Sequence, residues 1–166
     1  MTKPAFKRFV NNKYIPWDVY NYGFKANLSD INASILIDQI KEYSKIAKIK
    51  KNIFKNYKKE LSKIPQISFP KDRPNKNRDY YLFPIGVEKK FRDKLIVHLL
   101  ENKIFVTVNF NSITNLTYYK KKYKNTSCPI SEKWGSEQLS LPFHTMLSTK
   151  EIKKICLEIK KFFNKN

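Results

Sequence analysis

From Ser29 to Ile64 the chain runs without a single Gly or Pro, and Pro65 is the first interruption. Apolar residues recur at Leu36, Ile40, Tyr43, Ala47, Phe54, Tyr57 and Leu61, in steps of three, four and seven. That spacing is one stripe of an α-helix. A second, adjacent stripe runs through Ile46, Ile49, Ile53, Tyr57 and Ile64. Ser29 is the expected N-cap, and Asp30 places a carboxylate in the first turn, where the helix dipole favours it. A helix of about 30 residues is some 45 Å long, more than a small domain can cover. It is expected to connect the domain that follows to something else.

The remaining elements are shorter. Residues 1–22 show no sustained period and read as an irregular lead-in. Pro65 to Asn77 reads as a loop. Tyr80 to Ile85 is aromatic and β-branched and reads as a strand, with Pro84 pointing to an edge position. Phe91, Leu95, Leu99 and Leu100 mark a helix ending near Asn102. Ile104 to Phe110 alternates and reads as a strand. Thr117 to Tyr123 and Ser131 to Gln138 are short helical stretches, and Ser140 to Phe143 is a short extended piece. The last helix opens with a capping box, Ser148 to Glu151, and carries the stripe Ile152, Ile155, Ile159, Phe162 and Phe163. The order of elements predicts an α/β protein of the layered α+β kind. The expected division is a lead-in over 1–28, the long helix over 29–64 and a small domain over 65–166.

Composition narrows the function classes. The chain has 166 residues, 34 Lys plus Arg, 14 Asp plus Glu, and a formal net charge of +20. Such a charge raises a nucleic-acid reading. Only four of the cations are Arg, however, and recognition of phosphates and base edges favours the planar guanidinium. The lysines read mainly as solvated surface, with only non-specific attraction to polyanions. No apolar run approaches the roughly 20 residues of a membrane span. A cytoplasmic location is expected, since no apolar leader core precedes Lys13. Three glycines leave no room for a phosphate-binding glycine loop. Cys128 and Cys156 are isolated and read as reduced thiols, with a disulfide or metal pair as the alternative. His98 falls next to the apolar face of its helix and reads as a packing or solvent-edge residue. His144 follows Leu141-Pro142-Phe143 at a strand-to-loop transition, a place where functional groups concentrate. The residues alone show no self-contained active site.

Three segments, taken together, resemble a known family. Gly23-Phe24-Lys25-Ala26-Asn27-Leu28-Ser29-Asp30-Ile31, with Ala33, Ser34 and Gln39-Ile40, resembles the G-[YF]-[NK]-x-[RN]-[ML]-[ST]-D-I signature of the DegT/DnrJ/StrS aminotransferases. Lys103 to Phe110, running on to Tyr118-Tyr119, resembles that family's K-G-I-x-T-x-V-H-[FY] segment. Ser140-Leu141-Pro142-Phe143-His144, followed by Leu147, Ser148 and Glu151-Ile152, resembles its S-L-P-[LI]-H segment. The order and spacing also agree. The resemblance covers residues 20–163 and implies the C-terminal small domain of a fold type I aminotransferase, with the long helix as its connector.

It also implies chemistry. The family uses pyridoxal 5'-phosphate to move an amino group, usually from glutamate, onto a keto group of a nucleotide-linked sugar, and it works as a homodimer. Carried over by position, Lys25 would hold the cofactor phosphate of the neighbouring subunit and Asn27 would support that loop. Asn109, Phe110 and His144 would line the substrate side of the cleft. The family's Schiff-base lysine lies upstream of the Gly23 motif; Lys3 and Lys7 sit too close to Gly23 to stand for it. The chain is therefore expected to be the C-terminal part of such an enzyme, inactive alone, from a truncated, split or fragmentary gene. A Lys-rich nucleic-acid-binding protein and a non-catalytic dimerisation module are the competing readings. Departures from the pattern are Lys103 where the family carries Gly, Asn109 and Thr114 for its two histidines, Ser112 for its proline, and Ser34 for its second Ala. They put substrate contacts in this segment in question.

Overall fold

The structure is a computed structural model that describes residues 9–10, 13–14, 24, 26–71 and 79–165. The chain divides into two units, Met1–Ile40 and Lys41–Asn166. In the first, strands β1 (Phe9–Val10) and β2 (Lys13–Tyr14) pair antiparallel, Phe9 opposite Tyr14. The lead-in, expected to be irregular, thus holds a short antiparallel strand pair. Helix α1 (Asp30–Leu61) begins at the expected cap. The Asn32 N–H donates to Ser29 Oγ at 3.3 Å and the Ala33 N–H to the Ser29 carbonyl at 2.8 Å. Serine is favoured here because its oxygen takes an amide that has no carbonyl one turn back.

The second unit is built on a three-stranded antiparallel sheet in the order β3 (Ile67–Ser68), β4 (Phe83–Val87), β5 (Gln138–Leu141). Around it lie α2 (Lys89–Glu101), a 3-10 turn (Ile113–Asn115), α3 (Thr117–Lys122), α4 (Pro129–Glu137) and α5 (Thr149–Lys165). Phe83 faces Leu141 and Ile85 faces Leu139 across the β4–β5 pair. These side chains enter one buried cluster with Ile53, Tyr57 and Leu61 of α1, Leu95 and Leu99 of α2, and Ile152, Ile155, Ile159 and Phe162 of α5. Each such side chain, fully buried, contributes about 1.5–3 kcal/mol. Phe83 stacks on Tyr57 at 4.7 Å between ring centroids and meets Phe54 edge-on at 5.0 Å. The Tyr57 hydroxyl donates to the Pro142 carbonyl at 3.0 Å, which ties α1 to the end of β5. Burial pushes the Tyr57 phenol up, with the charges of Cys156 and Glu151 adding to the shift.

The opposite face of the sheet is polar. Gly86 lies across from Gln138, and Pro84 from Ser140. A Cβ at Gly86 would meet the Trp134 ring of α4 at 3.0 Å, as well as Ser68 Oγ, so only glycine lets α4 close over this end.

Three expectations change. Pro84 lies on the central strand, not an edge strand. Ser140 turns its own N–H and C=O away from β4, toward Thr107, so the Pro84 nitrogen faces the β3 side. There β3 has already ended at its Ile67–Val87 and Ser68–Gly86 pairs. Proline thus occupies a position where no N–H was needed. The segment 104–110 forms a single bridge, Thr107 to Ser140, not a strand. The next hydrogen-bonded pair in that register would be Phe105 with Pro142, which has no N–H to give. Third, the expected loop after Pro65 contains β3, too short for its alternation to be read. Residues 72–77 of that loop lie outside the described residues.

The helix ends follow their sequence signals. Ser148 and Glu151 form the capping box: the Ser148 N–H donates to Glu151 Oε2 at 2.8 Å, and the Glu151 N–H to Ser148 Oγ at 3.2 Å. Helix α2 closes with two bonds, Ile104 N–H to the Leu99 carbonyl at 2.8 Å and Lys103 N–H to the Leu100 carbonyl at 2.9 Å. That is a Schellman closure, and it sets Lys103 at φ 60°.

Candidate functional site

The Thr107–Ser140 bridge organises the residues singled out from sequence. Thr107 and Ser140 exchange both backbone hydrogen bonds, at 3.3 and 2.7 Å. Asn109 and Phe110 lie two and three residues past Thr107, on the Gln138 side. His144 lies four residues past Ser140, toward the Lys103 end. The structure therefore brings Asn109 and Phe110 together and places His144 elsewhere. Asn27 is exposed in the first unit. Lys25 lies outside the described residues.

On the Asn109 side, Phe110 is 74 % exposed, and the Asn109–Phe110 peptide is cis. Asn109 Oδ1, both amide atoms of Gln138 and Ser140 Oγ are buried without a hydrogen-bond partner. Just beyond, a polar lock fastens the 3-10 turn to α4. Thr114 Oγ1 donates to Glu132 Oε1 at 2.7 Å and sits 2.8 Å from Ser112 Oγ. Ser131 Oγ donates to Ser112 Oγ at 3.1 Å, and the Cys128 N–H donates to Glu132 Oε1 at 2.9 Å. The Cys128 amide first, and then the Thr114 hydroxyl, hold the Glu132 carboxyl below its ordinary range. Ser112 and Thr114 are two of the positions that depart from the family pattern. Here they build a closed hydrogen-bond set that positions the turn after Phe110. Sequence reading missed this lock; Pro129 at the first helical position with Glu132 in the first turn was the readable part of it.

On the His144 side is a cleft of about 440 Å³. Lys103, Phe105, His144, Glu151 and Lys154 border it, with buried Ile104 and Ile155 as apolar wall. The Ser148 hydroxyl, at 2.6 Å from Oε2, and then the Ser148 amide hold the Glu151 carboxyl below its ordinary range, with His144 adding to the effect. His98, by contrast, is a packing residue. Its Nε2 donates to the Glu158 carbonyl at 3.1 Å, and its ring packs on Phe162 at 5.6 Å. Both cysteines are free. Cys156 is buried, and its thiol is pushed up to about 12 by burial, with Glu60 adding to it.

The described residues do not fit pyridoxal phosphate held as a covalent cofactor. That would need an enclosed lysine amine, and no described lysine is buried. It would also need a carboxylate under the pyridine nitrogen. The one buried carboxylate among the described residues, Glu158, is engaged by Lys161 at 2.8 Å and faces His98 at 3.7 Å.

A family model, the DegT/DnrJ/EryC1/StrS aminotransferase family, matches residues 1–160. GDP-perosamine synthase of Vibrio cholerae is 28% identical over 148 residues, covering 87% of this chain and 39% of that protein. The spore coat polysaccharide biosynthesis protein SpsC of Bacillus subtilis is 25% identical, covering 92% of this chain and 41% of its own length. Among solved structures, the PLP form of the sugar aminotransferase Spr1654 of Streptococcus pneumoniae superposes with a TM-score of 0.75 at 23% identity, over 89% of this chain and 39% of that one. The chain thus spans about two fifths of the length of the relatives it matches. Among the described residues no helix is long and apolar enough to cross a membrane. The match over nearly the whole chain displaces the nucleic-acid reading: the chain belongs to the DegT/DnrJ/EryC1/StrS aminotransferase family.

Proposed function

We propose that the chain supplies the small domain and connecting helix of a pyridoxal-phosphate-dependent aminotransferase that acts on keto groups of nucleotide-linked sugars, in the cytoplasm, as a homodimer. The observation that carries this is the family match across residues 1–160, on a fold that superposes on a sugar aminotransferase. The relatives' roles, in perosamine and in spore coat polysaccharide synthesis, point to sugar nucleotides as the substrate class.

In this reading Phe110 offers its exposed ring to the substrate and Asn109 its amide, both held by the lock of Ser112, Thr114 and Glu132. Lys25 supplies a point charge for the cofactor phosphate across the dimer, and Asn27 supports its loop. The cofactor, held by a domain elsewhere, would supply the electron sink for moving the amino group. The described residues bind and orient; none is placed to move the proton.

The test is amination of a nucleotide-linked keto sugar with glutamate and pyridoxal phosphate. It is run with this chain alone and with a separately expressed cofactor domain of the family. Amino transfer is expected only in the second mixture, with Phe110→Ala raising KM for the sugar nucleotide more than it lowers kcat. Transfer by the chain alone, or Phe110→Ala without effect in the active mixture, would overturn the reading.

A further inference from the structure

We propose that Gln138 is a positioning residue for Asn109: its buried amide holds Asn109 Oδ1 inward, so that Asn109 turns a hydrogen-bond donor, Nδ2, toward the substrate. This builds on the placement of Asn109 beside the substrate proposed above, and fixes the polarity of the group it offers there.

Register puts the two side chains on one face. Thr107 and Ser140 face each other in an antiparallel bridge. Asn109 lies two residues past Thr107 and Gln138 two residues before Ser140, so both share the face of that pair. The backbone ladder does not continue to them, because the Gln138 N–H is spent on the Trp134 carbonyl, where it closes α4. The side chains are left to join the two segments. Helix α4 is pressed against this stretch of chain: a Cβ at Gly135 would stand 2.7 Å from the Ser112 nitrogen and 3.2 Å from Asn111 Oδ1. On the same face the Trp134 ring covers Gly86, directly opposite Gln138. That cover keeps bulk water off, and hydrogen bonds in such surroundings are strong.

The polar atoms of this face match as donors and acceptors. Gln138 is 0 % exposed and Ser140 3 %. Asn109 Oδ1, both amide atoms of Gln138 and Ser140 Oγ are enclosed with no partner among the described residues. Native chains pair such atoms, because an unpaired one costs the full desolvation of its group. Asn109 Oδ1 can only accept, and the donors on its face are the Gln138 Nε2 hydrogens and the Ser140 hydroxyl. Ser140 is two residues along the strand from Gln138, and its hydroxyl serves Gln138 Oε1. That turns Nε2 to Asn109. Each link is made directly or through one ordered water. Asn109 as a whole is half-buried. With Oδ1 turned in, Nδ2 is the end of its amide left to the outside, and it can only donate. The substrate group it meets is therefore an acceptor oxygen.

The first test is NMR on the isotope-labelled chain, with the Asn109 side-chain amide identified by its loss in Asn109→Ala. Gln138→Met keeps the length of the side chain and removes its amide. It is expected to move both Asn109 Nδ2 proton signals toward those of exposed asparagines, while the backbone signals of β4 and α5 stay in place. Ser140→Ala should move them the same way by less. Unmoved Asn109 signals in Gln138→Met overturn the proposal. The second test is a double-mutant cycle in the amination mixture described above. Gln138→Met is expected to raise KM for the sugar nucleotide about fivefold, the size of one hydrogen bond, and to lower kcat less. In the Asn109→Ala background the same change should add nothing. A Gln138 that merely packs would raise KM equally in both backgrounds, and that result overturns the proposal. Asn109→Asp exchanges the donor for acceptors and should raise KM at least as much as Asn109→Ala; a smaller effect would show that Nδ2 is not the group offered. If the unmutated mixture transfers no amino group, the aminotransferase reading fails by itself, and the NMR signals still decide whether Gln138 holds Asn109.

Discussion

The two ends of α1 carry similar apolar patterns and meet opposite fates. In the C-terminal part Tyr57 and Leu61 are 0 % exposed, packed beneath the sheet. In the N-terminal part Ile31 is 75 % and Ile40 is 64 % exposed, with Leu28, Ile35, Leu36 and Ile37 open beside them. An amphipathic stripe states which face favours burial; it does not state what covers it. Within α1 the side chains that join the core run from Ile49 to Leu61. Before them, Leu36, Ile40 and Tyr43 lie exposed along one face of the helix, and exposed apolar faces of this kind mark interaction surfaces.

The sharpest way to break this comparison is truncation on both sides. Leu61→Ala is expected to cost about 3–4 kcal/mol in urea unfolding, because it leaves a cavity among Tyr57, Phe83 and the α5 stripe. Ile35→Ala should stay within about 0.5 kcal/mol. Equal losses would mean that both ends are equally covered. Next in size is association. The chain is expected to self-associate in sedimentation runs through its open stripe, and Leu36→Lys, Ile40→Lys and Tyr43→Lys together should shift it to monomer. An unchanged sedimentation coefficient would place the contact elsewhere.

Smaller effects test the helix ends. Ser148→Ala should destabilise the domain by about 1 kcal/mol through loss of the α5 cap. Ser29→Ala, at the cap of the uncovered end of α1, should change the cooperative transition much less, because that end contributes little to it. Lys103→Gly should raise stability by up to about 1 kcal/mol by relieving the left-handed lysine. The smallest expected effect is on pH dependence. The Glu132 carboxyl is held below its ordinary range, so its contribution is fully present above the unfolded carboxylate pKa and is lost as pH falls through the lower folded value. Thr114→Val should therefore flatten the acid limb of the stability curve. An unchanged limb would show that the Cys128 amide alone sets the shift.

Much of the fold was legible. The 3.6-residue period located α1 and α5, and Ser29 and Ser148 marked their starts to the residue. Asn102 marked the end of α2. What failed were short pieces governed by partners distant in sequence. Residues 104–110 alternate like a strand, but Pro142 across from Phe105 cannot extend the ladder. Pro84 argued for an edge, yet it sits where a neighbouring strand runs out. At the site, the resemblance identified Asn109, Phe110 and His144 as one group. Register separated them, because residues on either side of a bridge move apart by about 3.3 Å each. The lock of Ser112, Thr114 and Glu132 was invisible for a like reason: Glu132 lies 18 positions from Thr114, and each residue alone is an ordinary polar side chain.

By itself the sequence determined local matters: which residues helicise, where helices begin, which faces are apolar, and, through three ordered motifs, the family. Those follow from backbone sterics, capping and periodicity, which act within a few residues. The tertiary structure alone decided which apolar face is covered, which strand is central, that a left-handed lysine borders a cleft, and that the residues singled out belong to two places. Those depend on which distant segments pair and how far each ladder runs, and pairing is a property of the packed chain.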